Sequence, residues 1–200
     1  MQLILATRNA HKLHEIERIL GPKFRIRGLS NSDEVAEIDE SGSSYEENAI
    51  LKAVTVSRKL PGLIIADDSG LEVDALGGGP GIHSARYGGA NATDEEKISK
   101  LLSELAKVHA KGDQRFARFR CVLAVARDGK VVETVEGIVD GKIAEVAGGS
   151  HGFGYDPIFI PDGFEETFAE LPGKVKDSIS HRAQALHKLK TRLPTLRDEV

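Results

Sequence analysis

Leu3-Ile4-Leu5-Ala6-Thr7-Arg8-Asn9-Ala10-His11-Lys12-Leu13 changes its hydrophobic period part-way along. Gln2 to Ala6 is nearly all apolar and reads as a buried strand. After the polar turn Thr7-Arg8-Asn9-Ala10, apolar side chains recur at Leu13, Ile16, Ile19 and Leu20, the spacing of one helix face. Gly21-Pro22 stops that helix, because glycine suits a C-cap and proline cannot continue it. Phe24 to Leu29 then fits a second strand. Strand, helix and strand joined this tightly make the crossover that parallel neighbours require.

The alternation continues outward from there. Ser44-Tyr45-Glu46-Glu47 has capping-box spacing and predicts a helix with Ile50, Ala53, Val54, Ser57 and Leu60 on its inner face. Leu63 to Ala66 reads as a buried strand leading into Asp67-Asp68-Ser69-Gly70, and Leu71 to Leu76 as a further strand before the Gly77 to Gly81 loop. Thr93-Asp94-Glu95-Glu96 is a second capping box, with Ile98, Leu101, Leu102 and Leu105 facing inward. Arg115 to Ala126 and Val131 to Val139 fit a hairpin around Asp128-Gly129, and strands are expected at Lys142 to Ala147 and Ile158 to Ile160. A last helix is expected from Ser178 to Leu193. Crossovers and a hairpin together predict an α/β fold with a mixed sheet, and no repeat or linker divides residues 1–200.

A chain of 200 residues can bury about 70% of its unfolded surface without disulfides or metal staples. Apolar runs such as Leu3 to Ala6 are far shorter than the ~20 residues of a membrane-spanning helix. Met1 leads straight into the first strand without a basic segment or cleavage site, so no export is expected. With Cys121 as the only cysteine, the reading is a cytoplasmic protein without an internal disulfide or a cysteine-based zinc cage. The formal charge of −4 is a poor balance for gripping a nucleic-acid polymer, while a single nucleotide can be met locally, and no membrane partner is expected.

Several segments carry candidate chemistry. Thr7, Asn9 and Lys12 lie where a strand turns into a helix, a place where free N–H groups and the helix dipole favour an anion. There is no Walker loop and no Gly-x-Gly-x-x-Gly after a strand, and the plain alternative makes Asn9 an N-cap and Lys12 a solvated lysine. Asp67 and Asp68 at a strand's end are costly to bury unless a divalent cation or water network neutralises them, though a simple Asp-Ser-Gly turn would also read this way. Asp33 to Glu47 holds seven carboxylates and no basic residue, mostly a solvated loop. Glu40 before Ser41-Gly42 and Glu47 at the edge of an apolar stripe are expected to turn inward and, with Asp68, suit magnesium. Lys52 falls on a different face of that helix, either functional or solvated. Glycines around Phe153 and Tyr155 would let the backbone approach a flat ligand, or simply form a turn over core aromatics. Ser180-His181-Arg182, with Lys174 and Lys176 upstream, places cations at a helix start, which suggests an anionic or carbonyl-bearing partner.

Taken in order, Thr7-x-Asn9-x-x-Lys12, Glu47-Asn48-Ala49, Asp67-Asp68-Ser69-Gly70, Gly79-Pro80-Gly81-x-x-Ser84-Ala85-Arg86-Tyr87, Phe153-Gly154-Tyr155-Asp156-Pro157 and Ser180-His181-Arg182 form a series. That series resembles the inosine triphosphate pyrophosphatase family from residue 3 to about residue 190. The resemblance implies an elongated mixed β-sheet flanked by helices, with two lobes of a single domain enclosing a substrate cleft. It also implies a homodimer that hydrolyses ITP, dITP and XTP to the monophosphate and pyrophosphate with Mg2+. By the same resemblance, Thr7, Arg8, Asn9, Ala10, His11 and Lys12 would cradle the triphosphate. Glu40 and Asp68 would hold the metal, Asp68 would accept the proton of the attacking water, and Ser69 would touch the substrate. Phe153, Gly154, Tyr155 and Asp156 would hold base and sugar, with Lys176, His181 and Arg182 completing base recognition. The rival readings are a pyrophosphatase of the septum-formation-inhibitor type acting on modified pyrimidine nucleotides, a nucleotide-binding regulator without turnover, and a structural scaffold.

Overall fold

The computed structural model describes residues 1–33, 35, 36 and 38–198, so Glu34 and Glu37 of the acidic run lie outside the described residues. Six strands are hydrogen-bonded in the order β2-β1-β3-β4-β5-β6. They are β1 (Gln2–Leu5), β2 (Arg25–Arg27), β3 (Leu63–Val73), β4 (Phe116–Arg127), β5 (Lys130–Ile143) and β6 (Phe159–Pro161). β1 runs parallel to both β2 and β3, and β5 pairs antiparallel with β6, which is the expected mixed sheet. The helices are α1 (Ala10–Leu20), α2 (Tyr45–Ser57), α3 (Asp94–Lys107), α4 (Gly173–Ile179) and α5 (His181–Asp198). Among the described residues, no helix is long and apolar enough to cross a membrane.

The chain divides into two compact units: 1–68 with 121–137 and 181–200, and 69–120 with 138–180. The core of the first unit joins Leu3, Leu5, Ile16 and Leu20 to Leu63, Ile65, Leu123 and Val125, closed by Leu186, Leu189 and Leu193 of α5. The second has its own core of Leu71, Val73, Leu101, Leu105, Ile158 and Leu171 around the ring contacts of Phe119, Phe159 and Phe168. Each unit thus removes its own apolar face from water.

Local chemistry explains most of the boundaries. Asn9 caps α1, its side-chain oxygen accepting from the N–H groups of His11 and Lys12, and Gly21 ends the helix at φ 77°. Thr93 and Glu96 complete a reciprocal capping box at α3. At α2 only half the expected box forms. Ser44 caps the N–H of Glu47, but the Glu47 carboxylate turns out to Ser43, accepting from its N–H at 2.7 Å and its hydroxyl at 2.8 Å.

Four elements differ from expectation. β3 does not stop at Ala66; it carries Asp67 to Gly70 in its middle and runs to Val73. The strand expected at Lys142 is the end of β5. β2 is three residues long, shorter than the Phe24 to Leu29 segment. The last helix is two helices, because Ser180 is extended at φ −62°, ψ 158° and separates α4 from α5. α5 also passes Pro194 and ends at Asp198.

The turn after β2 is tied by Arg27, which donates to both oxygens of Asp33 at 2.8 and 3.1 Å. That guanidinium, with the Ser30 N–H, holds the Asp33 carboxyl at about 2. A carboxyl depressed in the folded state stabilises it above the ordinary value and loses that contribution as pH falls through about 2. An NMR titration is expected to place the Asp33 midpoint near 2, and Arg27→Ala to return it toward the ordinary 3.8.

Candidate active site

Side chains alternate sides along a strand, so adjacent Asp67 and Asp68 point to opposite faces of β3. They are not two carboxylates sharing one cation; each has its own set of partners.

Asp67 is buried among charges. One oxygen accepts from the ammonium of Lys12; the other accepts from Arg182 Nε at 2.8 Å and the Cys121 thiol at 3.2 Å. Burial alone would raise its pKa, but Arg182 and Lys12 outweigh burial and hold it well below the usual carboxylate range. Arg182, 2% exposed, reaches on to Glu15 Oε2 at 2.5 Å. The closeness of β5 to the first turn of α5 helps to set this geometry: a Cβ on Gly137 would lie 2.0 Å from the His181 carbonyl oxygen, so only glycine fits. Buried Arg182 and half-buried Lys12 therefore balance the two buried carboxylates Asp67 and Glu15 within the first unit. Arg182, a cation at this helix start expected to await an outside anion, already has two partners from the chain itself, Asp67 and Glu15.

Asp68 faces Lys52. The ammonium donates to Asp68 Oδ1 at 2.8 Å, to Glu40 Oε1 at 2.7 Å and to the Asp67 carbonyl at 2.8 Å. The amide of Asn48 donates to Asp68 Oδ2 at 3.4 Å, and its carbonyl accepts from the Gly42 N–H at 2.8 Å. A Cβ on Gly42 would lie 2.6 Å from that Asn48 oxygen, so glycine lets the loop carrying Glu40 approach α2. Burial raises the Asp68 pKa, and Lys52 only partly opposes it. Lys52 is raised in turn, since Asp68 and Glu40 overcome the burial that would lower it.

Lys52 and Asn48 reach this position because α2 is rotated from the expected face by one residue, about 100°. Its buried side is Tyr45, Asn48, Ala49, Lys52, Ala53, Val56 and Ser57; of the expected face Ala53 and Ser57 are buried, whereas Ile50 and Val54 are only half-buried. The inward turn expected of Glu47 does not occur; it is exposed. Small Ala49 and Ala53, both 0% exposed, allow closer packing than Ile50 and Val54 would. Their spacing with Lys52 was the sequence signal that a count of bulky residues misses. Glu15 escaped notice for a similar reason, as a charge one residue before buried Ile16.

At the start of α1, Asn9 is the cap and Thr7 accepts from the Asn9 N–H at 3.1 Å. Arg8 donates to the Val35 carbonyl at 2.6 Å, while Ala10 and His11 are exposed. Lys12 is not merely solvated, since it is held on Asp67.

In the second unit, Asp156 is 2% exposed and folds its own loop. Its Oδ2 accepts from the Phe153 N–H at 2.9 Å and from Lys176 Nζ at 2.5 Å. Lys176 also stands 4.9 Å over the half-buried Phe153 ring. The Gly154 N–H is taken by Asp94 at 2.6 Å, and the buried Tyr155 hydroxyl donates to the Ser84 carbonyl at 2.9 Å. Tyr155 is thus core, and burial raises its phenol above the ordinary value. Ser69, half-buried, follows Asp68 on β3.

Among the described residues, no group of three or more His, Cys, Asp and Glu side chains is assembled around a metal position. Glu40 and Asp68 nevertheless converge on one cation, the Lys52 ammonium, with oxygen donors only. That donor set fits magnesium, which takes one or two carboxylates and completes its shell with water and phosphate.

The Ham1 family model matches residues 3–192, a span that includes every one of these groups. The chain belongs to the Ham1 family. A Bacillus subtilis relative named dITP/XTP pyrophosphatase is 48% identical over 189 residues, covering 94% of each chain. A Ham1 protein structure from Coxiella burnetii superposes with a TM-score of 0.86 at 38% identity, covering 98% of this chain and 99% of that one. A Staphylococcus aureus Ham1 protein gives 0.84 at 38% identity, covering 98% and 100%. The mixed α/β fold of this chain is therefore that of the Ham1 structures it matches.

Proposed function

We propose that this chain is a nucleoside triphosphate pyrophosphatase that hydrolyses ITP, dITP and XTP to the monophosphate and pyrophosphate, clearing non-standard purines from the nucleotide pool. The observation that carries the reading is the buried Asp68, with Glu40, gathered on a single cation in a Ham1 chain. The dITP/XTP pyrophosphatase name of the Bacillus subtilis relative supplies the substrate class.

Release of pyrophosphate requires cleavage between the α and β phosphates, a reaction governed by positioning and charge neutralisation. Magnesium held by Glu40 and Asp68 would supply the positive charge that offsets developing phosphate charge. Lys12 and the α1 N-terminus, with Thr7 to His11, receive the triphosphate; Asn9 already satisfies two N–H groups, so Lys12 and the helix dipole carry most of that attraction. Asp68 accepts the proton of the attacking water, a role suited to a carboxylate whose pKa is raised by burial, and Ser69 contacts the substrate beside it. Phe153 offers a stacking face to a purine, with Gly154, Tyr155, Asp156 and Lys176 shaping the place of base and sugar. His181 and Arg182 supply donors for a 6-oxo group, which adenine would meet with its own N–H donors. The homodimer and the cytoplasmic setting implied by the resemblance belong to the same proposal.

The test is turnover with magnesium on ITP, XTP, GTP, ATP and CTP, scoring pyrophosphate separately from phosphate. Pyrophosphate is expected from ITP and XTP, with ATP at least about 10²-fold slower, because unmatched buried polar groups penalise the wrong base by that much or more. Equal rates on all five would remove the base-recognition part, and no turnover would favour a regulator.

A further inference from the structure

We propose that Lys52 is an internal counter-cation occupying the metal position of the ligand-free enzyme, so that the divalent ion binds weakly alone and tightly only together with a triphosphate. The inference rests on the reading of Glu40 and Asp68 as the metal ligands.

An ammonium has three N–H donors, and Lys52 directs them at Glu40, Asp68 and the Asp67 carbonyl, all within 2.8 Å. Magnesium bound to the same two carboxylates would sit about 2.1 Å from their oxygens. That places it within bonding distance of the space that the ammonium holds, so the two cations exclude one another there. Lys52 arrives on a helix packed through the fully buried Ala49 and Ala53, so a change of the long lysine side chain makes room at less cost than rotation of α2. The side chain itself must move.

The charge of the cluster decides when it moves. Two carboxylates and one ammonium leave one net negative charge, and a divalent ion added to them leaves one net positive charge. A polyphosphate supplies the missing negative charge and new acceptors for the displaced ammonium. Metal and triphosphate therefore strengthen each other, and by linkage each raises the other's affinity by the same factor. Asp68 is masked by this arrangement as well, with Lys52 on one oxygen and Asn48 on the other, so Lys52 is a positioning residue for the carboxylate that takes the proton.

The experiment is Mn2+ binding followed by the EPR signal of the free ion, on ligand-free wild type, Lys52→Met and Lys52→Arg. It is repeated with a non-hydrolysable inosine triphosphate analogue whose own Mn2+ affinity is measured beforehand without protein. Lys52→Met is expected to bind Mn2+ at least about tenfold more tightly than the wild type without the analogue, and Lys52→Arg, which keeps the charge, to remain near wild type. In wild type the analogue is expected to tighten Mn2+ binding at least tenfold, a result that needs no variant to fold. A Lys52→Met affinity equal to or weaker than wild type, or a wild type that binds Mn2+ equally well with and without the analogue, would overturn the proposal. Wild-type protein that takes up no Mn2+ even with the analogue bound would overturn the metal assignment itself, and this inference with it.

Discussion

Asp68→Asn is expected to lower kcat on XTP by about 10³-fold, within the range that a positioned acid–base group contributes. Asparagine matches aspartate in size, but its amide neither takes a proton from water nor offers a second anionic oxygen to a cation. Lys52 keeps Glu40 as a partner in the variant, and Asn48 keeps its bond to the Gly42 N–H, so the surroundings of position 68 survive. The thermal unfolding midpoint is therefore expected to stay close to wild type while turnover collapses. A variant that keeps more than a tenth of the wild-type kcat would sink the role given to Asp68. A nucleotide-binding regulator without turnover instead predicts no measurable kcat in either protein and unchanged nucleotide binding in the variant, since binding does not need the proton acceptor.

The second large effect is on stability. Arg182→Met is expected to destabilise the fold by about 3–5 kcal/mol, the usual result of removing one partner from a buried charge cluster. Both Asp67 and Glu15 would be left with a buried carboxylate that has lost its guanidinium, and both are nearly inaccessible to water. For a chain of this size the loss corresponds to a midpoint about 6–20 °C lower, read by calorimetry or urea unfolding. Lysine at the same position should recover only part of it, because a single ammonium cannot span two carboxylates as the planar guanidinium does. Arg192→Met is the matched control. Its pair with Glu133 is half-exposed, so about 1 kcal/mol or less is expected. Equal effects at 182 and 192 would mean that the buried cluster contributes no more than a surface pair.

The contrast between these arginines shows where sequence and structure part. Arg182 and Arg192 lie ten residues apart on one helix and look alike in the sequence, each amid other cations. The approach of Gly137 to the first turn of α5 helps to bring Arg182 inside, while Arg192, paired with Glu133, lies at the surface.

Much was nonetheless determined by the sequence alone. The α/β class followed from short continuous apolar runs alternating with segments of three-to-four-residue period, which report burial directly. The Asn9 cap, the Thr93 box and the Asp128-Gly129 hairpin are local interactions between residues a few positions apart, and they form as the local chemistry demands. The candidate residues Thr7 to Lys12, Glu40, Asp68 and Phe153 to Asp156 were legible as residue types that bind anions, cations and flat rings. What tertiary structure alone decided was the partner of each charge. Asp67 and Asp68 look equivalent in the chain; the pleat of β3 sends one to Arg182 and Lys12 and the other to Lys52 and Glu40. The sequence leaves Lys52 either functional or solvated because helix faces are judged by bulk, whereas α2 is phased by the two alanines that let it pack closely. Local sequence encodes spacing and capping, but ion pairs between residues 12 and 67, or 67 and 182, exist only after the strands and helices that carry them have packed.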